Sequence, residues 1–196
     1  DNLVDVFQRK LDALLEGERS YSIEASADLP PGGGLGCSAA LGVAIARAVL
    51  ALTQPARAAR ASEPAHDPRV LELASRWEGV FHGNPSGIDT AAAASGQFLR
   101  FLRGEGARPI MSSADVHLAI GHSGGGAGAK EMVTGLADRL ARDPAKKARF
   151  LEGVTGLVDR AEACLARGEG PALGKLLDEN QALLQEVGIS TPRIDQ

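Results

Sequence analysis

Gly32-Gly33-Gly34-Leu35-Gly36 runs without a break into Cys37-Ser38-Ala39-Ala40-Leu41-Gly42-Val43-Ala44-Ile45-Ala46 and on to Leu52. The second half is alanine-rich and nearly uncharged, which is good helix material. A helix apolar on all sides is a buried one. Before the glycines, Tyr21, Ile23, Ala25 and Ala27 alternate with polar residues, a period of two that predicts a half-buried strand ended by Pro30 and Pro31. The expected order is therefore strand, glycine loop, buried helix. The first N–H groups of a helix have no internal acceptor and carry partial positive charge, so such a loop is a ready anion site. The plain alternative is a tight turn ahead of a buried helix.

Two familiar phosphate loops are excluded. A Walker A loop needs Lys and then Ser or Thr directly after its last glycine, but the order at Gly128 is Ala129-Lys130-Glu131. A Gly-x-Gly-x-x-Gly dinucleotide fingerprint fails in the first loop, because Cys37 stands where the third glycine belongs.

A second special loop, His82-Gly83-Asn84-Pro85-Ser86-Gly87-Ile88-Asp89, follows a helix expected over about 69–81. Its proline and glycine fix where the Asp89 carboxylate points. Glu78 lies near the end of that helix. One acid beside a magnesium phosphate and another beside an alcohol is what phosphoryl transfer to a hydroxyl requires. Ser38, in the first helical turn, adds a hydroxyl suited to an oxygen-preferring cation. Each residue alone reads as readily as a surface acid or a turn residue.

Elsewhere, a helix is expected over about 3–15 and a loop over 54–68. Residues 91–94, 97–102 and 116–120 are expected as strands or short buried segments. Gly124-Gly125-Gly126-Ala127-Gly128 forms a third glycine loop. Helices are expected from about 129 to 187, broken near Asp143-Pro144 and Gly168 to Pro171. A composition shift at Arg108-Pro109 marks a domain boundary, giving units 1–109 and 110–196.

Composition narrows the function classes. The 196 residues carry 21 Lys plus Arg against 25 Asp plus Glu, so net charge is -4 and nothing pulls the chain toward nucleic acid or anionic lipid. Aromatic residues are 4%, too few for base-stacking platforms. No apolar run is long enough to span a bilayer. Two cysteines, Cys37 and Cys164, exclude a disulfide scaffold and suit a reducing cytoplasm. Cys164 reads as a buried small hydrophobe. His66, His117 and His122 have no partner at metal-ligand spacing, so no metal is assigned to them.

Together, Pro31 to Ala40 and His82 to Asp89 resemble the two central motifs of the GHMP kinases. The first is similar to the family's Pro-x-x-x-Gly-Leu-Gly-Ser-Ser-Ala phosphate loop, and the second is most similar to its mevalonate kinase version. Gly188-Ile189-Ser190-Thr191-Pro192 resembles the family's run after its C-terminal helices. The resemblance implies an α+β fold of two domains with the active site in the cleft between them. It implies ATP, with Mg²⁺, as phosphoryl donor and the C5 hydroxyl of mevalonate as acceptor in isoprenoid biosynthesis. Gly33, Gly34, Leu35, Gly36, Cys37 and Ser38 would wrap the ATP phosphates. Ser38 and Glu78 would bind Mg²⁺, Asp89 would be the catalytic carboxylate, and Ser86 and Gly87 would shape the substrate side. Gly124 to Gly128 resemble a loop closing over the ligands. The family admits a homodimer.

Alternatives stay open: another GHMP kinase acting on phosphomevalonate, homoserine or a sugar, or a nucleotide-binding relative without turnover. The second loop contains no Lys or Arg for an already phosphorylated acceptor, which favours mevalonate. Cys37 stands where the family has a serine, and Ala129 where mevalonate kinases often have a threonine. The family's first motif, with a lysine beside the catalytic Asp, and its third glycine motif are not in the 196 residues. Weak or no turnover is therefore expected of this chain taken alone.

Overall fold

The computed structural model describes residues 23–28, 33–53, 67–82, 85–121 and 129–195. The chain divides into two compact units, Asp1–Pro109 and Ile110–Gln196. In the first, α1 spans Cys37–Thr53, α2 Pro68–His82 and α3 Ile88–Ser95, followed by strands β1 (Leu99–Leu102) and β2 (Gly106–Pro109).

Helix α1 buries Ala39, Gly42, Val43, Ile45, Ala46 and Val49. It packs against both α2 and α3. Val43 and Ala46 join Val70, Ala74 and Ala94 in one apolar cluster, while Ile45 and Val49 join Trp77 in another. The small side chains of α1 are what let two other helices approach it on different faces. Arg47, the one charged residue of α1, reaches across to Ala94 O at 2.8 Å and holds the C-terminal end of α3.

Helix α2 begins in a conventional way. Asp67 accepts the Arg69 backbone N–H at 3.0 Å, and Pro68 occupies the first helical position. Strands β1 and β2 form an antiparallel hairpin pairing Leu99 with Pro109 and Phe101 with Ala107.

In the second unit, α4 spans Ala129–Ala141, α5 Pro144–Arg167 and α6 Gly170–Glu186. Asp143 caps α5 by accepting Lys146 N–H, and Gly168 ends it in the left-handed region. Gly153 lies so close to Leu183 of α6 that an added Cβ would sit 3.1 Å from Leu183 Cδ1.

Three sequence expectations change. Residues 91–94 lie inside helix α3, because glycines at both ends, Gly87 and Gly96, are left-handed and delimit a helix of eight residues. An apolar alanine run carries no period to separate strand from buried helix, and alanine favours the helix. Residues 23–28 and 116–120 carry no regular secondary structure. Their alternation is a local property, whereas a strand needs a partner ladder. The helix expected at 3–15, most of the 54–68 loop and the third glycine loop fall outside the described residues.

Candidate active site

Three helix segments carry the candidate residues, and α1 packs on the other two. The phosphate loop enters α1 through two left-handed glycines, Gly34 (φ 72°) and Gly36 (φ 69°). The first helical bond runs from Ala40 N–H to Gly36 O at 2.9 Å. The N–H groups of Cys37, Ser38 and Ala39 therefore precede the helical ladder and have no acceptor within it. Gly36 at the cap offers no side-chain acceptor either, and α1 has no acidic residue in its first turn. A helix start of this kind presents partial positive charge. Among the described residues, no heavy atom lies within 4 Å of where a Cβ would stand on Gly34 or Gly36. Gly33 and Cys37 are half-buried and Leu35 is exposed. A largely apolar cavity of about 500 Å³ flanks the helix, with Cys37, Ala40 and Leu41 on one wall and Glu24 to Asp28 on the other.

Ser38 is half-buried, and its carbonyl oxygen accepts the indole N–H of Trp77 at 3.0 Å. The next residue on α2 is Glu78, only 2% exposed. Its carboxylate is engaged within the protein, while the Oε1 atom accepts no hydrogen bond among the described residues. Burying a carboxylate is costly, so a residue of this type at 2% exposure, next in sequence to the tryptophan that contacts the first turn of α1, is a marked feature.

Asp89 sits in the first turn of α3, just after Gly87 (φ 90°). It is exposed, whereas the following Thr90 is 2% exposed. Thr90 facing inward thus turns Asp89 outward. Ser86 Oγ accepts the Ile88 N–H at 3.3 Å, and Gly87 lies 3.8 Å from the Phe101 ring at its Cβ position. A side chain at Gly87 would be strained by the positive φ.

The structure thus places the site residues predicted from the first two loops and from α2 at a helix start or on a helix packed against one. Sequence reasoning missed two participants. By spacing alone, Trp77 is only one of the apolar residues of the helix expected over 69–81. Gly42 lies under its ring, where an added Cβ would stand 2.5 Å from Trp77 Cδ1. A glycine in the middle of an alanine-rich helix was the available signal, since it costs about 1 kcal/mol relative to Ala and asks for a packing reason.

The chain is similar to known proteins. Residues 2–97 match the family model for the GHMP kinases N terminal domain. The chain belongs to the GHMP kinase superfamily. Within it, the chain is similar to mevalonate kinases: 29% identical to the Arabidopsis thaliana protein over 91% of this chain and 50% of that one. It is 30% identical to the Homo sapiens protein over 90% of this chain and 48% of that one. A solved structure, L. major mevalonate kinase in complex with R-mevalonate, superimposes with a TM-score of 0.69 at 27% identity, covering 84% of this chain and 49% of that one. The chain spans about half the length of these relatives.

Proposed function

We propose that the chain carries the phosphate loop and catalytic carboxylate of an ATP-dependent kinase that phosphorylates the C5 hydroxyl of mevalonate to 5-phosphomevalonate. The observation that carries the reading is the glycine-led start of α1 with buried Glu78 one residue from the indole that grips it. The main-chain N–H groups from Gly33 to Ser38 hold the β- and γ-phosphates. Asp89, exposed in the first turn of α3, orients the acceptor alcohol and takes its proton as the bond to phosphorus forms. Ser86 and Gly87 shape the acceptor side. We assign residues 1–109 and 110–196 to the two domains of a GHMP kinase, and place it in the cytoplasm.

The residues fit Mg²⁺. Glu78 supplies a hard, buried oxygen donor and Ser38 a hydroxyl, and among the described residues no cluster of three or more His, Cys, Asp or Glu forms a self-sufficient metal cage. A cation shared with phosphate oxygens needs only such a short donor set. When bound it neutralises charge on the β- and γ-phosphates.

The test is mass-spectrometric detection of 5-phosphomevalonate after incubating the chain in excess over mevalonate with Mg·ATP, so that slow transfer suffices. Homoserine, galactose and phosphomevalonate run in parallel. Product from mevalonate, absent with Asp89→Asn, is expected. Transfer to another acceptor in preference, or undiminished transfer by the variant, would overturn the assignment.

A further inference from the structure

We propose that Trp77 is a positioning residue for nucleotide phosphate, acting through the peptide unit between Ser38 and Ala39. The inference rests on the reading of the α1 start as a phosphate site. The Ser38 carbonyl and the Ala39 N–H belong to one planar unit. On its carbonyl side that unit accepts the Trp77 indole N–H at 3.0 Å. On its other side the N–H precedes the first helical bond, from Ala40 to Gly36, and is one of the donors available to an anion.

The indole therefore does two things. It fixes the plane of the peptide, and with it the direction of the Ala39 N–H. It also draws electron density onto the carbonyl oxygen, which strengthens the N–H as a donor, since bonds in a chain polarise one another. The contact is built rather than incidental. Ser38 and Gly42 are one helical turn apart on the same face. The pyrrole edge of the ring lies along that turn, with Nε1 on Ser38 O and the adjoining Cδ1 against Gly42. Only a residue without a Cβ at 42 leaves room for it. Ile45 and Val49 pack around the ring, which is 3% exposed. Because Glu78 follows Trp77 directly, the same grip sets the height of the buried carboxylate against the phosphate-binding turn.

Trp77 is the single tryptophan of the chain, so one indole N–H signal reports the contact. The chain labelled with ¹⁵N-tryptophan is titrated with Mg·ADP, alongside calorimetry. The indole cross-peak is expected to move saturably with the calorimetric dissociation constant. Trp77→Phe, which keeps an aromatic side chain and removes the donor, is expected to bind Mg·ADP about three- to tenfold more weakly, the loss of one hydrogen bond. An indole signal unmoved at saturation, or Trp77→Phe that melts earlier yet binds equally well, would overturn the inference while leaving the nucleotide site standing. If Trp77→Phe does not fold, the indole titration of the unaltered chain decides. Absence of any Mg·ADP binding by the unaltered chain would remove the phosphate site itself and the inference with it.

Discussion

Two pairs of helix starts divide this molecule. Helices α2 and α5 each begin at an Asp-Pro pair, with Asp67 or Asp143 accepting a backbone N–H of the first turn. Helices α1 and α3 each begin after a left-handed glycine, Gly36 or Gly87, that has no side chain with which to cap. A cap satisfies the helix from within and closes it to ligands. A glycine leaves the donors and the dipole available. Of these four starts, the capped ones lie in scaffold and the glycine-led ones carry the residues proposed for chemistry; α6, which also lacks a side-chain cap, carries none of them. All of the assigned phosphate and catalytic residues except Glu78 lie at the two open starts.

The sharpest way to break this division is at α3. Asp89→Asn should lower phosphoryl transfer at least ~100-fold, the usual contribution of a positioned acid or base, with a far smaller effect on Mg·ADP affinity; comparable losses in both would make Asp89 a binding residue instead. At α1, Gly42→Ala forces a Cβ into the Trp77 ring and should cost about 1–3 kcal/mol by overpacking. Thermal unfolding measures the cost, and Mg·ADP affinity should fall with it because the ring is displaced from Ser38. At a capped start the outcome should separate: Asp143→Ala should cost about 1 kcal/mol of stability and leave nucleotide affinity unchanged. A change in affinity there would blur the distinction.

The smallest effect concerns the turn after α6. The Ser190 hydroxyl, then the Gln185 and Gln181 side chains, hold the Asp195 carboxyl below its ordinary range, against an opposing effect of burial. A carboxylate depressed in the folded state adds stability above its unfolded pKa and loses it as pH falls through the folded value. The Ile194 and Asp195 amides, which bond Thr191 O, should exchange faster below the usual aspartate range and regain protection above it. Flat exchange across that range would show that the Ser190 contact holds the turn regardless of charge.

Much of the scaffold was legible from residues. The apolar period gave α2 within one residue at either end, and Asp143-Pro144 and Gly168 marked the limits of α5 because a capping acid, a fixed φ and a left-handed glycine act locally. The first glycine motif identified the open start of α1, whereas no helix was expected after the second. Residues 91–94 were misjudged because four alanines lack any period, and 116–120 because alternation signals a conformation without naming a partner.

Chain order and local chemistry alone decided which helices form, where they stop, and which starts lack a cap, since each depends on side chains within a few residues. What they could not decide was that Trp77 of one helix would lie across the first turn of another, over Gly42, with its N–H on Ser38. That contact joins positions 35 and 39 residues apart in the chain and exists only once α1 and α2 are packed. Burial of Glu78 and the outward turn of Asp89 have the same origin: a side chain's exposure is set by what the fold brings against its neighbours.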